Sequence, residues 1–178
     1  MNLNQQDAPL FNALVNHAKR YSAYFHVPGH KQGNFFDDNG RPFFHKLLTL
    51  DLTEVGDLDD LHDPTGVIKE AQLLAARAFG ATQTWFLVGG TTVGNLALVK
   101  TVCKPGDTIV IQRNSHKSVF NGCLLAGARP IYVQPEFDET VCVYTGVTVS
   151  KLRTTLQRHP GAKAVFLTNP NYYGIIQP

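Results

Sequence analysis

Two hydroxyl side chains that follow paired glycines are the first candidates for chemistry in this chain. Gly89-Gly90 come directly before Thr91-Thr92, where a short apolar run, residues 85–88, gives way to helical periodicity. The free N–H groups of a first helical turn, the helix dipole and the two hydroxyls would together bind an anion such as a phosphate. The motif is neither GxGxxG nor GxxxxGK[ST], so neither a dinucleotide nor a nucleoside triphosphate is indicated. A tight turn followed by a threonine-capped helix explains the same residues equally well.

His116 is the second candidate, in the segment Asn114–Ser118. An imidazole beside a phosphate site could stack on an aromatic ligand or donate a proton, although a lone histidine more often caps a helix or lies on the surface. The adjacent Lys117 could bond covalently to a carbonyl. Consecutive residues of a helix point about 100° apart, so Lys117 is not expected to reach the atom that His116 reaches.

An acidic run could suggest the hard-oxygen metal site of a hydrolase; it comprises Asp57, Asp59, Asp60, His62 and Asp63. Its spacing matches no metal motif, and Asp63 before Pro64 is typical of a helix N-cap, so a solvated loop is favoured. His26 and His30 are separated by Pro28-Gly29, which excludes the helix that a zinc-binding HExxH site requires. No metal site is therefore expected.

Predicted strands and helices alternate along the chain. Strands are expected at residues 85–88, 108–112, 130–133 and 164–168; helices at about 7–20, 42–50, 64–79, 91–103, 115–126 and 149–158; and a loop with a short strand at 136–147. Asp7 is a predicted N-cap, and Gly80 and Gly127 are predicted helix ends. This alternation predicts an α/β fold with a mainly parallel sheet and helices on both faces. Polar segments after the strands, including residues 169–174, should then meet at one edge of the sheet.

Composition limits the class of protein. A formal net charge of +2 over 178 residues gives no reason to expect a nucleic-acid or membrane partner. Cys103, Cys123 and Cys142 are odd in number and lack CxxC spacing, which favours free thiols over disulfides or zinc. With no signal-like N-terminus and no apolar run of membrane-spanning length, a cytoplasmic protein is expected.

Four stretches taken together resemble the Orn/Lys/Arg decarboxylase family, which are pyridoxal-phosphate enzymes of the aspartate-aminotransferase fold type. They are FHVPGHKQG, DLDDLHDPTGVIKEAQLLAARAFGA, FLVGGTTVGN and IVIQRNSHKSVFNG, in the family's order. The resemblance implies an N-terminal helix and arm over residues 1–50, and an incomplete, truncated cofactor-binding large domain of three layers over residues 51–178. It also implies that Gly90, Thr91 and Thr92 bind the cofactor's phosphate and that His116 stacks on its ring. Ser118 lies in the matched motif without an assigned role.

The family's remaining catalytic residues would come later in the sequence. Pro170–Gly174 resembles the stretch before the strand that carries the aspartate for the pyridine nitrogen, and the Schiff-base lysine follows later still. Lys117 matches the ring-stacking motif and not that lysine, so no catalytic residue is expected in this chain. The resemblance thus implies the N-terminal part of a decarboxylase of arginine, lysine or ornithine in polyamine biosynthesis, inactive alone and a homodimer or higher oligomer when complete. Two alternatives are a non-catalytic remnant or split-enzyme subunit that pairs with another chain and, more weakly, a metal-dependent hydrolase.

Overall fold

The computed structural model describes residues 3–20 and 23–177. The chain forms two compact units, the first running to Phe86 and the second beginning at Leu87. The predicted division at residue 50, between an arm and a large domain, stays a prediction about chain organisation. Among the described residues, no helix is both long enough and apolar enough to cross a membrane.

The described residues of the first unit form three helices, all close to their predicted positions. They are α1 (Pro9–Arg20), α2 (Arg41–Leu48) and α3 (Val67–Phe79). Helix α1 packs against α3, and the Gln5 amide donates a hydrogen bond of 3.1 Å to the carbonyl oxygen of Leu74. Residues 23–33 and 51–63 form turns and bends without a helix or strand, as predicted for the Pro-Gly segment and the acidic run.

The predicted N-cap of α3 is wrong. The helix begins at Val67 and not at Pro64, since Gly66 before it has φ −116° and ψ −127°, outside the helical region. Its first N–H groups are bonded by the carboxylate of Asp59, which accepts from Gly66 and Ile68 at 2.9 Å each. A positive φ of 69° at Asp59 turns the acidic run back toward the helix. Asp63 is exposed.

The predicted N-cap of α1 is also wrong. The Asp7 carboxylate accepts from the backbone N–H of Asn4 at 2.7 Å and so closes the turn before the helix, which begins at Pro9. The end of α3 is as predicted, since Gly80 adopts φ +63° and carries the left-handed turn that glycine permits. Phe79, the last residue of α3, is 85% exposed, while the polar Gln72 in the middle of the helix is buried.

The second unit contains a parallel sheet with helices on both faces. Its elements are α4 (Gly90–Val102), β1 (Thr108–Gln112), α5 (Lys117–Ala126), β2 (Arg129–Val133), β3 (Phe137–Asp138), β4 (Val143–Tyr144), α6 (Val149–Arg158) and β5 (Ala164–Phe166). The sheet has the order β2-β1-β5 with both pairs parallel, and β3 and β4 form a separate antiparallel pair. The predicted α/β fold class is confirmed.

Side chains of the central strand β1 alternate between two apolar clusters. Ile109 and Ile111 pack with buried residues of α4 and α5, among them Val99. Val110 packs on the other face with Val133 and with Leu152 of α6. Because successive residues of a strand point to opposite faces, this alternation yields three layers, with α4 and α5 on one face of the sheet and α6 on the other.

The predicted first strand, residues 85–88, is not a strand. Trp85 is 65% exposed and Val88 is 86% exposed, so the run is not buried either. Apolar, β-prone residues form a strand only where a neighbouring strand supplies partners for their N–H and C=O groups. In the described part of the chain both sides of β1 are taken by β2 and β5, and residues 85–88 join no ladder.

Candidate functional site

A cavity of about 540 Å³ lies at the carboxyl ends of β1 and β5. Its walls come from three segments: the turn and first residues of α4, the start of α5, and the chain that follows β5. The lining residues are Gly89, Gly90, Thr91, Thr92, Asn95, His116, Val119, Phe166, Leu167, Thr168, Asn169 and Pro170. The predicted meeting of these segments at one edge of a parallel sheet is confirmed.

Two parts of the predicted clusters lie elsewhere. Asn114 lines a separate cavity of about 320 Å³ with Arg113 and Tyr144. Tyr172 and Tyr173 are exposed, by 96% and 60%, and do not line the larger cavity. The turn, His116 and residues 168–170 are therefore the segments that share this site.

The N-terminus of α4 lacks a side-chain cap. Gly89 occupies the N-cap position, and no side chain in the described part of the chain accepts a hydrogen bond there. By contrast, the side chains of His116 and Thr148 cap α5 and α6. The first-turn N–H groups of α4 are therefore available to an anion that enters the cavity.

Thr91 and Thr92 lie inside the first turn of α4 and do not cap it, which removes the threonine-capped turn as an explanation. Both side chains are exposed and line the cavity. Gly90 has φ +68°, a left-handed conformation that a side-chain-bearing residue rarely adopts, so a glycine is needed at this point of the turn. The turn therefore presents backbone N–H groups and two hydroxyls on one side of the cavity.

His116 caps a helix and also lies at the cavity. It is the N-cap of α5, and its Nδ1 accepts from the backbone N–H of Ser118 at 3.2 Å. The same side chain lines the cavity. The predicted helix start at Ser115 is two residues early, so His116 and Lys117 are not consecutive helical residues; Lys117 is nonetheless outside the cavity lining.

Sequence reasoning assigned no role to Ser118 and did not single out Asn95. The Ser118 hydroxyl, fully buried, lies 2.8 Å from Nδ1 of His116 and 2.8 Å from Nδ2 of Asn95. Asn95 lies four residues after Thr91, and residues at this spacing share one face of a helix. That spacing is the signal by which Asn95 could have been found.

A second network holds the wall that follows β5. Gln112, the last residue of β1, is fully buried, and its Oε1 accepts from the backbone N–H of Thr168 at 3.2 Å and from Gln177 Nε2 at 2.8 Å. Gln177 Nε2 donates to the carbonyl oxygen of Thr168 at 2.7 Å, so both the backbone N–H and the backbone C=O of Thr168 are hydrogen-bonded to glutamine side chains. A glutamine at the end of an apolar strand was an available signal, because a buried amide needs partners.

The acidic run is engaged in structural contacts. Asp57 pairs with His17 at 3.0 Å and with Arg20 at 3.1 Å, and the hydrogen bond from His17 chiefly lowers the pKa of the Asp57 carboxyl. Asp59 bonds the start of α3. Among the residues described, no group of three or more histidine, cysteine, aspartate or glutamate side chains is placed to hold a metal ion.

The cysteines are free thiols in different surroundings. Cys103 and Cys123 are buried and Cys142 is exposed. Burial raises the pKa of both the Cys103 and the Cys123 thiol, which disfavours the reactive thiolate. The two buried cysteines therefore act as small apolar residues of the cluster between the sheet and α4–α5.

The amino-acid sequence is similar to that of known decarboxylases over nearly its whole length. The model of the Orn/Lys/Arg decarboxylase major domain matches residues 8–177. The Bacillus subtilis (strain 168) protein YaaO is 52% identical over 168 residues, which cover 94% of this chain and 35% of that protein. An arginine decarboxylase of Bacillus anthracis is 45% identical, with 97% of this chain and 35% of the relative covered.

Solved structures give a consistent result. Lysine decarboxylase A of Pseudomonas aeruginosa superposes with a TM-score of 0.72 at 30% identity, covering 92% of this chain and 24% of that one. The chain thus spans about a third of the length of the curated relatives named above (35%). Since the family model covers nearly the whole sequence, the chain belongs to the Orn/Lys/Arg decarboxylase family.

Proposed function

We propose that this chain forms the cofactor-binding part of a pyridoxal-phosphate-dependent decarboxylase that acts on arginine, lysine or ornithine. One observation carries the proposal: the uncapped start of α4, with Thr91 and Thr92, lines the same cavity as the His116 imidazole. The family and the printed names of its arginine and lysine decarboxylases support the class of substrate. On the same family grounds we propose a cytoplasmic homodimer or higher oligomer that serves polyamine biosynthesis.

The residues present fit this cofactor. A phosphate needs clustered donors, which the N–H groups and hydroxyls of residues 90–92 supply. An aromatic ring needs flat and apolar surroundings, which His116, Val119 and Phe166 offer. A volume of about 540 Å³ lies within the range of small-molecule sites, about 300–1,000 Å³.

The residues that line the cavity would each have a distinct role toward the cofactor. When bound, pyridoxal phosphate supplies an electron sink for the carbon that loses carbon dioxide. Gly90, Thr91 and Thr92 would bind its phosphate, and His116 would orient its ring. The apolar side chains of the wall would exclude water from that face.

A second candidate function is a non-catalytic chain that binds cofactor or pairs with another subunit. The observation that favours it is the chemistry of the lining, since none of the described residues that line the cavity is a lysine, aspartate or glutamate. Covalent attachment and proton transfer would then depend on groups outside this lining.

Cofactor binding is tested by titrating the purified chain with pyridoxal phosphate, with pyridoxal and with inorganic phosphate. We expect pyridoxal phosphate to bind, pyridoxal to bind at least tenfold more weakly, and phosphate to compete. Thr91→Ala or Thr92→Ala should each weaken binding by about tenfold or more, because a hydrogen bond to a charged group contributes about 1.5–3 kcal/mol.

Thr101→Ala is the matched control. Thr101 lies in the last turn of the same helix, where its hydroxyl donates to the carbonyl oxygen of Ala97 at 2.8 Å, away from the cavity. The Thr101→Ala variant should bind pyridoxal phosphate with the same affinity as the unmodified chain. Equal binding of pyridoxal and pyridoxal phosphate, or equal losses at Thr91 and Thr101, would refute a phosphate site at the turn.

Carbon dioxide release separates the two candidates. The chain is assayed with arginine, lysine and ornithine, alone and mixed with a full-length decarboxylase of the family. Neither candidate predicts turnover by the chain alone, since no described lysine lines the cavity, so turnover of one of these amino acids by the chain alone would refute both. Cofactor binding with an unchanged rate on mixing supports the part of a larger decarboxylase. Cofactor binding without turnover, together with a changed rate on mixing, supports the pairing subunit.

A further inference from the structure

The hydrogen bonds around His116 determine which of its ring nitrogens carries the proton. Nδ1 lies 3.2 Å from the backbone nitrogen of Ser118, in the geometry of a helix N-cap. A backbone N–H can only donate, so Nδ1 must present its lone pair. In the neutral ring the proton is therefore on Nε2.

The Ser118 hydroxyl also favours the tautomer that carries the proton on Nε2. It lies 2.8 Å from Nδ1 and 2.8 Å from the amide nitrogen of Asn95. Because the Asn95 amide nitrogen donates to Ser118 Oγ, the hydroxyl hydrogen is free to donate to Nδ1. Ser118 is 1% exposed, so no bulk water competes for these bonds.

A close approach of two helices makes this chain of hydrogen bonds possible. Asn95 belongs to α4 and Ser118 to α5, and Gly122, four residues after Ser118 on α5, faces α4. A Cβ at Gly122 would lie 3.1 Å from Val99 side-chain atoms and 3.4 Å from the carbonyl oxygen of Asn95. The missing side chain at this buried position lets the Asn95 amide reach across to Ser118.

We propose that Asn95 and Ser118 are positioning residues, which hold the His116 ring at the cavity as the Nε2–H tautomer and couple it to the helix that carries the phosphate turn. The proposal rests on the proposed function for the identity of the ligand. Nδ1 is used by the cap and by Ser118, so Nε2–H is the ring group left to interact with a ligand. Asn95 lies on the helix that begins with Gly90, Thr91 and Thr92, so the network joins the two halves of the site.

The tautomer is tested without ligand, by long-range proton–nitrogen correlation spectra of the chain labelled with nitrogen-15 histidine. Spectra are recorded at about pH 8, where free imidazole is mostly neutral, and the His116 signals are assigned by their absence in His116→Gln. We expect Nε2 to be protonated and Nδ1 to be a bare acceptor. A ring protonated at Nδ1 overturns the proposal, whether or not the chain binds pyridoxal phosphate.

Ser118→Ala removes the hydroxyl and keeps the backbone donor. It should shift the Nδ1 resonance and weaken pyridoxal phosphate binding by about fivefold, the value of one neutral hydrogen bond. Ser115→Ala is the matched control, since Ser115 is also buried, lies two residues before α5, and has no hydrogen-bond partner for its hydroxyl among the described residues. Asn95→Ala should shift the same resonance and serves if Ser118→Ala fails to fold, as judged by circular dichroism.

Non-additivity distinguishes positioning from a general structural role. In a His116→Ala background, Ser118→Ala should change pyridoxal phosphate affinity by less than about twofold, because the group through which it acts is gone. A full fivefold loss in that background, or an Nδ1 resonance that moves equally in Ser115→Ala, would overturn the positioning role. If the unmodified chain shows the Nε2–H tautomer but does not bind pyridoxal phosphate, the proposed function fails while the tautomer assignment stands.

Discussion

Removing the carboxylate of Asp59 should destabilise the start of α3 more than any other change in the acidic run. The carboxylate accepts four backbone N–H groups, from Thr65, Gly66, Ile68 and Lys69, at 3.0, 2.9, 2.9 and 3.3 Å. Loss of a helix cap costs about 0.5–2 kcal/mol. Asp59 also has φ +69°, and alanine in that left-handed conformation costs about 1–2 kcal/mol more.

We therefore expect Asp59→Ala to lower the free energy of unfolding by about 1.5–4 kcal/mol. Asp59→Asn should cost less, about 0.3–1 kcal/mol, because asparagine tolerates a positive φ and keeps one acceptor, and only the interaction of the charge with the helix dipole is lost. Asp63→Ala, at the position that sequence pattern predicts as the cap, is the control and should change stability by less than about 0.5 kcal/mol.

The effect of Asp59 should depend on pH. Burial raises the pKa of its carboxyl, but the backbone N–H groups that it accepts outweigh burial and lower the pKa to about 2, from an ordinary 3.8. A lowered folded-state pKa means that the stabilisation is complete above about pH 4 and is lost as pH falls from 4 toward 2. The stability difference between the unmodified chain and Asp59→Asn should close over that interval.

Urea denaturation followed by circular dichroism measures the size of the effect. Hydrogen exchange of the Gly66, Ile68 and Lys69 amides locates it, since these groups should lose protection first. If Asp63→Ala costs more than Asp59→Ala, or if the gap between Asp59→Asn and the unmodified chain widens below pH 4, then the assignment of the cap to Asp59 is incorrect.

Three further predictions concern the second unit. Gly122→Ala should be destabilising by up to about 2 kcal/mol in urea denaturation, because crowding against Val99 (about 1–3 kcal/mol) exceeds the gain in helix propensity (about 1 kcal/mol); a more stable variant would contradict the close packing of α4 on α5. Lys117→Met should leave pyridoxal phosphate affinity within about twofold in the same titration, since Lys117 is outside the cavity lining; a tenfold loss would place this lysine in the site. A thiol reagent should label Cys142 rapidly in the folded chain and label Cys103 and Cys123 only in denaturant, because the latter two are buried; rapid labelling of all three would refute the packing of the cluster.

Much of the fold could be predicted from local pattern. The strand Thr108–Gln112 and the helix Val149–Arg158 lie where periodicity put them, and Gly80 and Gly127 end helices with φ of 63° and 65°. These features depend on short-range properties, namely the alternation of apolar residues and the left-handed conformation that glycine allows. Parallel pairing followed from the alternation of strands with helices.

Contacts distant in sequence could not be predicted in the same way. Asp63 has the local signature of an N-cap, yet Asp59, seven residues before Gly66, takes that role because the acidic run turns back on itself. Residues 85–88 are apolar and β-prone but join no ladder among the described strands. At both places the local sequence pattern favours one structure, but the folded backbone determines which hydrogen-bond partners are near, and these partners decide the outcome.

For the candidate site, too, some features could be predicted from local sequence and others depend on tertiary contacts. From the sequence alone came the Gly-Gly-Thr-Thr turn, His116 and the expectation that both lie at the carboxyl ends of parallel strands. The tertiary structure decided that the start of α4 is uncapped, that His116 caps α5, and that Asn95 and Ser118 connect the two helices. Residue types and spacing specify which groups can bind an anion, whereas the approach of α4 to α5 at Gly122 decides which of them hydrogen-bond to one another.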